Sequence, residues 1–593
     1  MHRSSNRHRF GGLDLRYSRV ILIALMIPAT LFVFANPRLF AQQVGDQNAT
    51  APTAASIQPV TVQVDASRSL GALPPIWAYF GYDEQNYTYM PHGKELISEL
   101  VALSPVPVHF RAHNLLTSGD GVPSLKWGST NAYTEDAAGN PVYDWKIVDK
   151  ILSTYLDAGA KPFVEIGFMP EALSAHPEPY KHNWPEGDLY TGWSYPPKDY
   201  AKWGELVGQL VKHCIERYGA DEVLTWKFEI WNEPDIGYWH GTPEEYDKLY
   251  DFSVAAIKKV NPSVQVGGPA VTSPFYPHPA EFLRQFLDHC AGGKNFATGE
   301  TGAPLDFVTF HAKGSPKFID GHLEMGIRTN LASVDRGLSI ISEFPQYAKL
   351  PIVVSESDPD GCAACAATKS PQYAYRNSTL YPAFTATVLH GTLDLAAKYH
   401  ADLEGMLTWA FEFEDKPYFE GYRTLATNGV DKPQLNIFRM AGLMHGDRIA
   451  AESSAAIPVD AIAKSGVRSS PDIDVLAARS SNSITILIWN YHDDDVPAPD
   501  APVALTLSGI APAHHELLLH HFRIDRDHSN AYTAWLAMGS PQNPTPEQYA
   551  ALKSAGQLQL LESPRWVHTG QDGALSLHFS LPRQGISLLE FTW

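Results

Sequence analysis

Cysteine is scarce, with four in 593 residues. Cys214 and Cys290 stand alone, and Cys362 and Cys365 pair up in GCAAC. A structural zinc site would need two further ligands at matching spacing, and no second CxxC exists. A redox dithiol would need a thioredoxin-like context, which is missing. A local disulfide is the better reading for an exported chain. Positive charge is also short: 45 Lys and Arg face 65 Asp and Glu, a net charge of −20. Nucleic-acid binding needs a basic footprint and is argued against. The acidic balance says nothing more of the substrate, since it serves solubility. No GxGxxG follows an apolar strand, so the dinucleotide signal is absent. No HExxH or comparable cluster speaks for a metal-dependent hydrolase, and no cofactor or metal is implied. Internal repeats and long low-complexity tracts are lacking.

One apolar run stands out, VILIALMIPATLFVFA at 20–35, behind Arg3, Arg7, Arg9, Arg16 and Arg19 against a single Asp14. This is the layout of a secretory signal, residues 1–41, with Ala41 as the last residue before cleavage. The run is short for a span and contains Pro28, which favours a cleaved signal over an anchor. The expectation is a secreted or periplasmic protein with no stable membrane partner beyond that segment. Residues 42–56 read as a flexible linker.

A chain of this length is too long for one core. Between about 76 and 410, short apolar runs alternate with helical patterns: IWAYFG (76–81), VPVHFR (106–111), KPFVEIGF (161–168), LTWKFEIW (224–231), SVQVGG (263–268), LDFVTF (305–310), PIVVSE (351–356) and GMLTWAF (405–411). Helical patterns lie between them, as at 145–160 and 197–219. Eight strands with intervening helices predict an α/β fold, a (β/α)8 TIM barrel over 73–445. A doubly wound open sheet is the runner-up, weakened by the missing phosphate loop. After 446 the texture changes to runs such as 472–479, 483–491, 503–509, 516–524, 575–581 and 586–592, broken by Pro, Gly and Asp. These predict an accessory antiparallel β-sandwich over 446–593. The alternating run VTVQVDASRSL (60–70) is expected to pair with that sheet, so residues 57–72 supply its N-terminal strand. Asp493-Asp494-Asp495 reads as a solvated turn, and His514, His515, His520 and His521 as ordinary residues of the β region.

Active sites of such barrels lie at the C-terminal ends of the strands. FEIWNEPD puts Asn232 and Glu233 just past strand four, and PIVVSE ends strand seven at Glu356. One glutamate at a strand end is most often solvated or ion-paired. Two on one face of a barrel are the minimum equipment for cleaving a glycosidic bond. The 14 Trp, 27 Tyr and 26 Phe serve cores first, but their abundance also suits sugars, whose apolar C–H faces stack on aromatic rings.

These stretches, with HFRAHNLL (109–116), YDWKIVDKIL (143–152), KPFVEIGFMP (161–170), DFVTFHAKG (306–314) and IVVSESDPDG (352–361), resemble glycoside hydrolase family 39, which contains β-xylosidases and α-L-iduronidases. The resemblance spans roughly 60–593. It implies a barrel with an attached β-sandwich and a retaining double displacement, with Glu233 as acid/base and Glu356 as nucleophile. Glu233 would start protonated and Glu356 ionised. Asn232 would bond the sugar 2-hydroxyl, and Trp409 would floor the pocket, its alternative being barrel core. His113 and His311 would either contact substrate or orient the carboxylates. Arg111 would hold Glu356 ionised rather than bind sugar. Glu165 and Glu229 have inward parity and are expected inside the barrel.

Lys313 occupies a place where some family xylosidases carry tyrosine and the iduronidase branch carries lysine, and ESDPDG is closer to that branch. FEFED (411–415), YFEGYRTLATNGVDKP (418–433) and DRDHSNAYTAW (525–535) look instead like bacterial xylosidases. The expected partner is an oligosaccharide or glycoside: a neutral pentoside first, a uronide second, an arabinose- or galactose-containing glycan third. With a neutral substrate, Lys313 would bridge to Asp358 or bond a hydroxyl. A carbohydrate-binding protein with a dead barrel is the non-enzyme alternative, weakened by the presence of both glutamates.

Overall fold

The computed structural model describes residues 58–593 except 126, 185–186, 191 and 512–513. The expected signal (1–41) and linker (42–56) lie outside the described residues. Among those described, no helix is long and apolar enough to cross a membrane.

Parallel strands form a ring: Tyr79–Tyr82, His109–Ala112, Lys161–Ile166, Lys227–Ile230, Gln265–Val271, Phe307–Lys313 and Pro351–Asp358, in that spatial order. Strand eight closes it in two pieces. Asp402–Met406 pairs with strand seven, and Thr408–Trp409 pairs with strand one. These strands are short and buried on both faces, which is why they read as continuous apolar runs. A helix follows each. Tyr200–Tyr218 starts where Asp199 accepts from the amides of Ala201 and Lys202, and it buries Trp203, Leu206, Val207, Leu210, Val211 and Cys214 at helical spacing. Pro243–Val260 opens on a Thr242–Glu245 capping box with proline in the first turn.

Among the described residues, the second sheet contains ten strands, almost all antiparallel. Ser483–Tyr491 is buried on both faces. Ile484, Ile486 and Ile488 join Val62, Val64, Val503, Leu505, Leu517, Leu519 and Phe591 in one apolar cluster to which, among the described residues, no helix contributes. Residues of one sheet can be that dry only if its two halves fold over each other, which makes the sandwich. Leu487, Trp489 and Tyr491 face the other way, into the barrel's cluster. There Tyr491 meets Phe384, and Trp489 meets His390, on the helix Leu380–Tyr399.

Val60–Ala72 runs antiparallel to Asp447–Ser453, and its first residues, Val60–Asp65, run parallel to Val503–Ser508. The parallel pair departs from the antiparallel expectation. A strand supplied from the far side of the barrel is joined to its neighbours by no hairpin, so nothing local dictates its direction. The aspartate run is a second correction. Asp495 is exposed, but Asp493 is buried: its carboxylate accepts from Ile327 N at 3.0 Å and Tyr491 Oη at 2.7 Å. Burial pushes this acid up to about 6. Its carbonyl accepts from Met325 N, so the residue ties the β-sheet to the segment after strand six.

Candidate active site

Trp231 and Glu233 both adopt left-handed backbone, with φ of 71° and 46°. A bulky residue at such a φ costs about 1–3 kcal/mol and persists only where its surroundings over-determine it. They do so here. The Trp231 indole packs against Phe168 and Trp239 and donates to the Tyr238 carbonyl at 3.1 Å. Glu233 N donates to Ala270 O at 3.0 Å, on strand five. Asp235 accepts from Thr272 N at 2.8 Å and from its hydroxyl. The abrupt end of the fourth strand is thus a locked turn that lifts Glu233 into the barrel mouth, where its side chain is 13% exposed.

Glu356, at the end of strand seven, faces it. A carboxylate oxygen of each glutamate and a ring nitrogen of His311 all lie within 4.8 Å of one another. That falls on the side of retaining enzymes, whose carboxyl groups stand about 5–5.5 Å apart, and well short of the roughly 6.5–9.5 Å of inverting ones. His311 is fully buried. Its Nδ1 shares a hydrogen bond with Glu233 Oε1 at 2.8 Å, and its Nε2 lies 3.7 Å from Glu356 Oε1.

Arg111 sits beneath, without exposure. Nε donates to Glu229 Oε2 at 2.6 Å, Nη1 to Glu356 Oε1 at 3.0 Å, and Nη2 to Asn232 Oδ1 at 3.0 Å; Nη2 also lies 2.9 Å from Glu165 Oε2. The guanidinium therefore touches both Glu356 and the amide beside Glu233. Glu165 and Glu229 are fully buried partners of Arg111 and do not reach the mouth. Lys313 Nζ stands 2.7 Å from Glu356 Oε2 and 2.8 Å from Asp358 Oδ2. Burial alone would raise the Glu356 carboxyl, but His311, Lys313, Arg111 and His113 override it and hold the group well below the usual carboxylate range. Its surroundings thus favour the anion.

Trp409 lies at the bottom, with the Arg111 guanidinium 5.1 Å from its ring and the His113 ring edge-on at 4.9 Å. Gly81 makes this possible: a Cβ there would lie 2.5 Å from the indole. His113 is buried between Glu165 and Asp83, the latter at 3.1 Å. The structure thus brings together every residue singled out above: Arg111, His113, Asn232, Glu233, His311, Lys313, Glu356 and Trp409. Asp83 was not anticipated, because it follows an apolar run with no motif around it; Tyr238 lies just past the WNEPD stretch, where a tyrosine by itself carries no signal of a site. The loop past Glu356 is another addition. Arg376 donates to Asp360 at 2.8 Å and to the carbonyls of Cys362 and Cys365, and Arg423 donates to the Asp360 and Trp409 carbonyls. Cys362 and Cys365 are disulfide-bonded. Glu233, His311 and Glu356 also offer the donor set a divalent cation would take. Arg111 and Lys313 already take the two oxygens of Glu356, at 3.0 and 2.7 Å.

Residues 124–572 match the sequence model "Glycosyl hydrolases family 39". A β-xylosidase of Caldicellulosiruptor saccharolyticus is 29% identical over 70% of this chain and 76% of its own length. The α-L-iduronidase of Mus musculus is 25% identical over 91% and 82%. A monomeric β-xylosidase from Caulobacter crescentus shares the fold, with a TM-score of 0.69 at 22% identity, over 90% of this chain and 99% of its own.

Proposed function

The chain belongs to family 39 of the glycosyl hydrolases, and from that premise we propose that it is an exported, exo-acting β-xylosidase-like enzyme that cleaves neutral pentosides from polysaccharide fragments by double displacement. Glu356 attacks the anomeric carbon while Glu233 gives its proton to the departing oxygen, and the C–O bond breaks. Glu233, now a base, takes a proton from the water that attacks the same carbon and releases Glu356. Arg111 and Lys313 keep the nucleophile charged, Asn232 bonds the 2-hydroxyl, and Trp409 floors the sugar. Export rests on the arginine-flanked apolar run at 20–35 and agrees with a disulfide.

The observation that carries the choice of a neutral sugar is Lys313. Its ammonium is already shared by two carboxylates, at 2.7 and 2.8 Å. Arg111 is saturated by Glu165, Glu229, Glu356 and Asn232. A substrate carboxylate would enter a site whose fixed cations are spoken for, beside Glu233, Glu356 and Asp358. The same lysine, at the end of strand six and partly open, favours a second reading, an α-L-iduronidase-like uronide hydrolase.

Nitrophenyl β-xyloside, α-arabinoside, β-galactoside and α-iduronide distinguish these readings. Turnover of the β-xyloside is expected; turnover of the iduronide alone would replace the proposal. Proton NMR in early turnover should show the first product keeping the substrate's anomeric configuration, and release of the opposite anomer would remove Glu356 from the nucleophile role.

A further inference from the structure

An acid that protonates the leaving oxygen dictates where the leaving group lies: beside Glu233, across the cleft from Glu356. The chain builds an aromatic wall there. Two successive turns, Ile236 N to Glu233 O at 3.2 Å and Trp239 N to Ile236 O at 3.0 Å, bring Tyr238 up five residues past the acid. Its carbonyl is tied to the Trp231 indole, so its place is set by the same locked turn that sets Glu233. Its ring is held edge-on by Trp127, Tyr180 and Phe168, with centroids at 5.3, 5.3 and 5.9 Å.

Trp127 and Phe168 are buried, whereas Tyr180 and Tyr238 are only half-buried, so the wall has a packed back and an open front. Glu233 lies within electrostatic reach of both half-buried rings. Burial and then the charge of Glu233 push the Tyr180 phenol up to about 12. Burial, Glu233 and Asp83, in that order, push Tyr238 well above its usual range. Both phenols stay protonated at any working pH. The double displacement described above uses none of these rings.

We propose that Tyr238, braced by Trp127 and Tyr180, forms the leaving-group subsite and takes a second sugar ring. An apolar ring face edged by a phenolic hydroxyl matches a pyranose, which has C–H faces and a rim of hydroxyls. A purely alkyl leaving group would leave the phenol without use. The inference rests on the retaining-glycosidase reading and extends it to the identity of the departing group. The same subsite would hold an acceptor sugar when the glycosyl-enzyme is intercepted by a hydroxyl rather than by water.

The test compares Tyr238→Ala and Tyr238→Phe with the unaltered enzyme on three substrates sharing one glycosyl unit: the disaccharide, the nitrophenyl glycoside and the glycosyl fluoride, whose single-atom leaving group cannot touch the wall. Tyr238→Ala should lower kcat/KM for the disaccharide about tenfold relative to the fluoride, the scale of one lost aromatic contact. It should also lower transfer to an added sugar relative to hydrolysis. Tyr238→Phe, which keeps the ring, should lose less and serves if the alanine variant does not fold. Equal losses on disaccharide and fluoride, or no loss on either, would overturn the subsite. A loss confined to the nitrophenyl glycoside would replace the sugar by an aromatic aglycone. An unaltered enzyme inactive on all glycosides would overturn the underlying reading and the subsite with it.

Discussion

Arg111 Nη1 donates to Glu356 Oε1 at 3.0 Å from a position with no exposure of its own. The same guanidinium also neutralises Glu165 and Glu229, so one side chain supports both Glu356 and the barrel layer beneath it. Arg111→Met should therefore do two things. It strands buried carboxylates, which costs about 3–5 kcal/mol and lowers the melting temperature. It also removes one of the charges that keep Glu356 well below the usual carboxylate range.

The sign follows from linkage. A depressed carboxyl contributes stability that is present above its unfolded value of about 4.3 and is lost as pH falls through the folded value. With Arg111 gone, the folded value rises, so both the acid limb of kcat/KM and the acid edge of stability should move to higher pH. A pH–rate profile whose acid limb stays in place would show that Arg111 is not what keeps Glu356 ionised.

The two glutamates should fail differently. Glu233→Ala should lose roughly 10²–10⁴-fold on natural leaving groups. It should retain more of the first step on an activated aryl leaving group, and azide, which needs no general base, should rescue the second. Glu356→Ala should be inactive on both. Equal losses across all substrates in both variants would mean that the roles are misassigned.

The loop past Glu356 offers a third measurement. The disulfide spans Cys362–Cys365, and the carbonyls of both cysteines are held by Arg376, which also pairs with Asp360. Closing so short a loop constrains the unfolded chain by only about 2 kcal/mol. Reduction should thus lower stability modestly while loosening a loop four residues from Asp358 and six from Glu356, and activity should fall with it. Intact mass should reveal two free thiols, Cys214 and Cys290, in protein purified without reductant. Four would contradict the bond.

Legibility from sequence tracked locality. Ser483–Tyr491, Glu516–Ile524, Leu575–Leu581 and Ile586–Thr592 coincide with the runs read from the pattern, because apolar patterning between polar breaks is a local signal. The barrel strands came within a few residues at their ends, where loops continue the extended backbone. Glu233 and Glu356 could be found because a strand end plus a carboxylate is a short motif. Asp83 could not, since its meaning lies in a 3.1 Å contact with His113, thirty residues on. Asp493 was misread for the same reason: three aspartates in a row look solvated until a segment 166 residues away comes to rest on the first. The parallel pairing of Val60–Asp65 is likewise invisible to any local rule.

The two substrate readings part at Lys313. Its ammonium reaches Glu356 at 2.7 Å and Asp358 at 2.8 Å, and Asp358 is anchored in turn by the Trp409 amide at 3.0 Å and by the Tyr381 hydroxyl. With a neutral substrate, Lys313→Met removes a hydrogen-bonded charge next to the nucleophile but no direct partner of the sugar's own charge. The loss in kcat/KM should correspond to about 1–3 kcal/mol and be shared by all active glycosides. With a uronide, the variant would strip the partner from a carboxylate in a site shielded from water, a loss of about 3–5 kcal/mol that amounts to abolished turnover. Kinetics of Lys313→Met on the nitrophenyl β-xyloside and the iduronide, side by side, separate the cases. The expected result is a moderate loss on the xyloside and no iduronide turnover by either form. Iduronide turnover by the unaltered enzyme, abolished in the variant, with no neutral glycoside cleaved, would reassign the pocket to a uronide.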